Sequence, residues 1–231
     1  MASPVMPLQQ KGMSVADNLA RIRQAIGSAP VKLIAVTKTA SPSQIEEAFK
    51  YGVTEFGENR VQDALDRRRL LPPNVAAASN WHFIGHLQTN KVKQAIDAFA
   101  LIHSVDSLRL AQEISRAAGK AEKIQPILLQ VKLVADDNKS GFSVAELKAA
   151  FPALLNLPNL RLEGLMTIAP FTDDRFIWRR CFAGLKELRD ALAREHKVEL
   201  KELSMGMTGD WQEAIECGAT MIRLGRAIFD G

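Results

Sequence analysis

An alternation of two periods limits this sequence to few folds. Short β-branched or apolar runs recur along it, each followed by a stretch whose apolar residues fall at helical spacing. The strand-like runs are Lys32–Thr37, Thr54–Gly57, Trp81–Gly85, Leu101–Ser104, Ile127–Val131, Leu160–Gly164 with an extension to Ile168, Glu202–Ser204 and Met221–Leu224. A helical pattern over Ser14–Ile26 precedes them. Others lie between them at Pro42–Tyr51, Arg60–Arg69, Asn90–Phe99, Ser107–Ala118, Ser143–Leu155, Asp174–His196 and Trp211–Cys217. Start signals support several of these. Ser41 stands as N-cap before Pro42, and Ser143 has Glu146 three residues on, a capping box. Eight strands, each but the last followed by a helix, predict an α/β fold closed into a single (β/α)8 TIM barrel. An open doubly wound sheet is the alternative, and the lack of a GxGxxG after the first strand counts against its dinucleotide-binding form. Residues 1–13 read as an N-terminal tail and 14–231 as one barrel domain.

Composition narrows the function classes. With 47% apolar residues in 231, the chain can bury one sizeable core. Thirty basic against twenty-six acidic residues leave only +4, and it is scattered. The clusters Arg67, Arg68, Arg69 and Arg179, Arg180 read as solvated helix faces rather than a nucleic-acid surface. Cys181 and Cys217 have neither CxxC nor Cys/His spacing, which suggests no disulfide framework, no metal site and a reducing cytoplasm. The opening MASPVMPLQQKGM lacks the pattern of a secretory leader. No apolar run approaches the roughly 20 residues that span a bilayer.

In a barrel of this kind chemistry collects where strands run into the following helices. Lys38 ends the first strand after LIAVT, where an ammonium beside low-dielectric walls gains the free-amine character that Schiff-base chemistry requires, or simply snorkels to water. The loops after the seventh and eighth strands carry Ser204, Met205, Gly206, Met207, Thr208 and then Gly225, Arg226, the positions where barrels often hold a phosphate. Arg223 lies inside the last strand and shares a side with Gly225. Buried there, it needs a carboxylate partner or the ring nitrogen of a bound cofactor. Among the histidines, His82 and His86 lie near the rim, His103 reads as a satisfied core residue, and His196 suits the end of a long helix. Trp81 and Phe83 read as core.

Seven segments together carry a family resemblance. They are IAVTKT around Lys38, FGENRVQDA around Asn59, WHFIGHLQTNK around His82 and Asn90, HSVDS around Asp106, LEGLMTI around Met166, LSMGMTGDWQEAI around Ser204, and IRLGRAIF around Arg223. Across nearly its whole length the sequence resembles the YggS/PROSC family of pyridoxal 5′-phosphate (PLP) homeostasis proteins. It most resembles the cyanobacterial PipY branch, given GDWQEAI and GATMIRLGRAIF. The resemblance implies a monomeric barrel like the N-terminal domain of alanine racemase. It implies PLP held as a Schiff base on Lys38, with Arg223 near the pyridine nitrogen and Asn59 lining the cofactor. Ser204, Thr208, Gly225 and Arg226 would form the phosphate-binding loops, the last two through main-chain amides, while Met205 would pack against the cofactor or simply fill space. Thr37 and Thr208 stand where serine is common, which preserves a hydroxyl, and Lys132 stands where asparagine is frequent.

The function that this resemblance implies is that of a cytoplasmic PLP-binding protein of vitamin B6 and amino-acid homeostasis, without robust catalysis and without catalytic residues of its own. Apo PLP-enzymes would be its transient acceptors, with no nucleic acid or membrane partner. A permanent cation beside the pyridine nitrogen weakens the ring's electron withdrawal. Tyr51, the only tyrosine, lies on the helix after the first strand, and no second domain is expected that could supply the opposite acid/base a racemase uses. The alternative is a slow PLP-dependent amino-acid racemase or lyase on a minimal barrel.

Overall fold

The computed structural model describes residues 13–134 and 140–230. The predicted tail, residues 1–13, therefore lies outside the described residues except for an exposed Met13. The strands are β1 (Lys32–Val36), β2 (Glu55–Glu58), β3 (Asn80–Phe83), β4 (Leu101–Val105), β5 (Gln125–Lys132), β6 (Phe142–Ser143), β7 (Leu160–Met166), β8 (Glu202–Ser204) and β9 (Met221–Leu224). All pairings are parallel. The order runs β1-β2-β3-β4-β5-β7-β8-β9, and β9 returns to β1, so eight strands close a ring. The two-residue β6 adds to the end of β5 outside that ring. The predicted single (β/α)8 barrel is the fold observed.

The helices form where local chemistry directs them. Reciprocal capping boxes start the helices at Val15–Ile26 (Ser14 with Asp17), Pro42–Lys50 (Ser41 with Gln44) and Val144–Leu155 (Ser143 with Glu146). Each satisfies two backbone donors that a helix start leaves open. The helix Leu108–Lys120 buries Leu110, Ala111, Ile114, Ser115 and Ala118, one stripe at three- and four-residue spacing. Two helices escaped the sequence pattern because they are too short to show a period. One is the short helix Pro73–Ala78, begun by proline. The other is Arg226–Phe229, which corrects the expectation that the last strand has no helix after it. That final helix is one turn long, and Val15–Ile26 packs beside it. Asn18 Nδ2 donates to the Ile228 carbonyl (3.1 Å), and Gln44 Nε2 from the next helix donates to the Phe229 carbonyl (2.8 Å).

Strand alternation creates two cores. Ala35, Phe56, Trp81, Ile102, Ile127, Leu165, Leu203 and Ile222 face the helices in one large cluster, with the Phe56 and Trp81 rings 5.5 Å apart. Ile34, Leu101, Leu128, Met166 and Met221 form a small separate cluster inside the barrel. Burial of each such side chain stabilises by about 1.5–3 kcal/mol, so the outer layer carries most of the hydrophobic stabilisation. The inner cluster is small because His82, His103, Ser204 and Arg223 are buried there as well. Among the described residues no helix is long and apolar enough to cross a membrane.

Candidate functional site

Because the barrel strands are parallel, their C-terminal ends meet on one rim. Lys38 lies in the turn just past β1, and its side chain is exposed rather than walled by apolar groups as the sequence suggested. The backbone around it is held firmly. Thr37 is buried; its amide donates to the Gly57 carbonyl (3.0 Å) and its hydroxyl to Glu58 Oε1 (2.5 Å). Arg67, from helix Val61–Leu70, stands with Nε 2.7 Å from the same carboxylate oxygen. The same guanidinium donates from Nη2 to the Lys38 carbonyl (3.1 Å) and from Nη1 to the Ala40 carbonyl. Burial pushes the Glu58 carboxyl above its usual range, against the Thr37 hydrogen bond and the Arg67 charge. A buried carboxylate and a helix arginine thus clamp the turn while leaving the amine free.

The two loops predicted to take an anion lie side by side. The Met205 amide donates to the Met221 carbonyl (3.1 Å), and the Arg223 amide donates to the Gly206 carbonyl (3.0 Å). Gly206 has φ +92°, and a Cβ there would sit 2.6 Å from Ala214 Cβ, so only glycine makes this turn. Asp210 closes the loop by accepting from the Met207 amide (2.5 Å). Burial raises its pKa, opposed by that bond and by the Arg223 charge. Thr208 is half-buried, Gly225 is half-buried and Arg226 is exposed, so these three are available at the rim. Met205 is not. Alternating with Ser204, its side chain is wholly buried in the outer core, and Met207 is the exposed methionine of the loop.

Arg223 is only 3% exposed, and no carboxylate among the described residues lies within ion-pair distance of it. Its Nη1 donates to Ser204 Oγ (2.6 Å) and its Nη2 to the Thr167 carbonyl (3.0 Å). Burial pulls its pKa down to about 10, with Asp210 opposing. Register places Arg223 against Ile34 of β1, the strand whose end leads into the Lys38 turn. Ser204, expected to offer a hydroxyl to a phosphate, is wholly buried and engaged with Arg223 and with His103 Nδ1 (2.8 Å).

These residues sit on a chain whose relatives are clear. Residues 13–231 match the family described as alanine racemase, N-terminal domain. A pyridoxal phosphate homeostasis protein from Synechocystis is 44% identical over 204 residues, covering 86% of this chain and 90% of the relative. One from Aquifex aeolicus is 39% identical, with 94% and 98% covered. The chain belongs to the pyridoxal phosphate homeostasis protein family. A solved structure of PipY from Synechococcus elongatus with PLP bound matches with a TM-score of 0.86 at 38% identity, covering 94% of this chain and all of that one. An alanine racemase from Clostridium difficile shares the fold alone: TM-score 0.75, 16% identity, 93% of this chain and 56% of that chain.

Within this family member, other expectations fall into place or move. Asn59 is half-buried at the end of β2, with its carbonyl so close that a Cβ on Gly85 would lie 2.1 Å from it. Lys132 is half-buried and lines a small cavity with Gln130, Ser140, Ile168 and Pro170. His86 is exposed at the rim, with Nδ1 3.3 Å from Asp106 Oδ2. His82, placed near the rim from sequence, instead lies buried inside the barrel, because its residue alternates with the outward Trp81 and Phe83. His196 packs on Phe151, the ring centroids 4.9 Å apart. Trp81 and Phe83 are core. The arginine cluster divides: Arg69 is solvated, Arg68 Nη1 donates to the Ala98 carbonyl (2.9 Å), and Arg67 holds the Lys38 turn. Sequence reading gave Glu58 no role and missed Glu55, although FGEN, with a carboxylate inside a strand, was the available signal. Among the described residues no group of His, Cys, Asp and Glu could hold a metal ion.

Proposed function

We propose that this chain binds PLP at the C-terminal rim of its barrel, joined to Lys38 Nζ as a Schiff base, and serves as a store or carrier in vitamin B6 and amino-acid homeostasis. The observation that carries the reading is a conjunction: an exposed amine just past the end of β1 and, on the neighbouring β9, a buried guanidinium that lacks an ion-paired carboxylate. PLP supplies an aldehyde, which condenses with the amine and releases water, and an electron-withdrawing ring. The residues fit this group. Arg223 offers a fixed cationic donor to a ring nitrogen. Thr208 and the main chain at Gly225 and Arg226 offer donors to a phosphate, with Asn59 at the edge of the ring. Ser204 contributes through Arg223, which it orients. The family membership and the PLP-bound PipY relative support the same ligand.

A storage role is favoured over turnover by what surrounds the amine. Tyr51 caps the helix that runs away from the rim and is exposed at its far end, so it is not placed to exchange a proton at a group held on Lys38. The clamp on the Lys38 backbone fixes the turn, while the open side chain leaves the imine accessible to the amine of an acceptor apo-enzyme. The test uses the purified full chain with PLP. Borohydride reduction followed by peptide mass mapping is expected to find the cofactor on Lys38 alone, and transfer to an apo-aminotransferase to restore its activity. Labelling at another lysine would overturn the site. Sustained racemisation or elimination of amino acids would overturn the storage role in favour of a slow PLP enzyme.

A further inference from the structure

A row of buried polar groups crosses the barrel interior from the cofactor end to the opposite mouth. Arg223 Nη1 meets Ser204 Oγ at 2.6 Å, Ser204 Oγ meets His103 Nδ1 at 2.8 Å, His103 Nε2 meets His82 Nδ1 at 2.8 Å, and His82 Nε2 meets Glu55 Oε2 at 2.6 Å. Glu55 is the first residue of β2, at the N-terminal mouth, and its side chain is partly open to water there. His103 and Ser204 are wholly buried, His82 and Arg223 nearly so. Five residues drawn from separate strands thus form one uninterrupted line.

Donor and acceptor arithmetic assigns every proton on it. A guanidinium only donates and a carboxylate only accepts. With both histidines neutral, each of the three intervening groups carries one proton to give and one lone pair to receive it. His82 must then donate from Nε2 to Glu55 and accept at Nδ1. His103 must donate from Nε2 to His82 and accept at Nδ1. Ser204 must donate to His103 and accept from Arg223. Electrostatics agree with a neutral His103 and an ionised Glu55. Burial holds His103 well below its ordinary pKa, and the Arg223 and Lys32 charges, with any charge carried by His82, act in the same direction. Burial opposes ionisation of Glu55, but hydrogen bonds from His82 and Asn80 and the nearby Lys32 charge outweigh it and keep that carboxyl below its usual value. The charged groups facing the relay are therefore Lys32 at the open mouth, itself 2.9 Å from Glu202, and Asp210 beside Arg223.

We infer that Glu55, His82, His103 and Ser204 form a one-directional hydrogen-bond relay that orients the Arg223 guanidinium toward the cofactor ring and supplies its counter-charge from the far mouth of the barrel. Glu55, His82 and His103 are then positioning residues: they touch no ligand and act through Ser204 and Arg223. The inference rests on the PLP reading for its purpose, but the relay itself is a property of the protein alone. It also explains why a buried arginine is tolerated here without an adjacent carboxylate, since the relay satisfies its donor and ends on an anion.

The test begins with the full chain carrying nitrogen-15-labelled histidine, without PLP and then loaded with it. Imidazole nitrogen shifts between about pH 5 and pH 8 are expected to show both His82 and His103 protonated on Nε2 and bare on Nδ1, with His103 not titrating. An Nδ1 proton on either, or a charged His103, overturns the relay without touching the PLP reading, which falls instead if borohydride fixes nothing on Lys38. The positioning role is read from Glu55→Gln, which removes the anion. The pH midpoint of the bound cofactor's absorbance is expected to move to lower pH by about half a unit or more, because a cationic form loses its distant counter-charge. Glu202→Gln removes an equal charge at the same mouth outside the relay, and its shift is expected to be less than half as large. Equal shifts from the two variants, or none from Glu55→Gln, overturn the positioning role.

Discussion

Lys38, just past β1, and Arg223, on the neighbouring β9, serve one candidate site, yet the protein holds them in contrary ways. At Lys38 the main chain is clamped, through Thr37, Glu58 and Arg67, and the side chain is left open to water. At Arg223 the side chain is buried and held by Ser204 and the Thr167 carbonyl. Under the proposed PLP-binding function, the difference follows from what each group would do. An amine that forms and breaks a covalent bond needs freedom and access, with only its origin fixed. A cation that sets the electrostatics of a ring needs a fixed direction, which a low-dielectric interior supplies if every donor is satisfied.

Substitutions separate the two arrangements. Lys38→Ala removes the reactive atom and nothing that packs. Borohydride labelling is expected to vanish completely while urea unfolding shifts by less than about 0.5 kcal/mol. Arg67→Met acts on the clamp and leaves Glu58 buried without its ion pair, at a cost of about 3 kcal/mol, seen as a lower urea midpoint with slower capture of PLP by Lys38. Thr37→Val keeps the shape but deletes one donor to the same carboxylate, costing about 1.5 kcal/mol. The Arg223 side is pH-sensitive instead. His103 has a depressed pKa in the folded state, so its contribution to stability is fully present above about pH 6.5 and is lost as pH falls from there toward the folded value. Urea midpoints measured across this window are expected to decline toward acid in the wild type and to flatten in His103→Gln. The smallest effect belongs to the surface. Phe171, which is fully exposed, is expected to change stability by less than about 0.5 kcal/mol when replaced by alanine.

Much of the architecture was legible because its signals are local. Each barrel strand lies within a few residues of its apolar run, since alternation between two buried faces leaves a mark on consecutive residues. Ser14, Ser41 and Ser143 begin their helices as capping chemistry requires. The rim position of Lys38, Thr208, Gly225 and Arg226 followed once parallel strands were inferred, because such strands must end together. Arg67 was misread because a guanidinium on a polar helix face looks solvated until its target, the backbone of a turn 27 and 29 residues earlier, is brought beneath it.

Residues a few positions apart were thus enough to mark the barrel strands and the longer helices, and to bring Lys38, Thr208, Gly225 and Arg226 to one rim. Which polar groups meet inside the barrel depended on the folded chain. The relay from Glu55 to Arg223 joins partners 27, 21, 101 and 19 residues apart. Their meeting requires strand register and barrel closure, because a slip of one residue in a single strand would turn its histidine or serine out toward the helices.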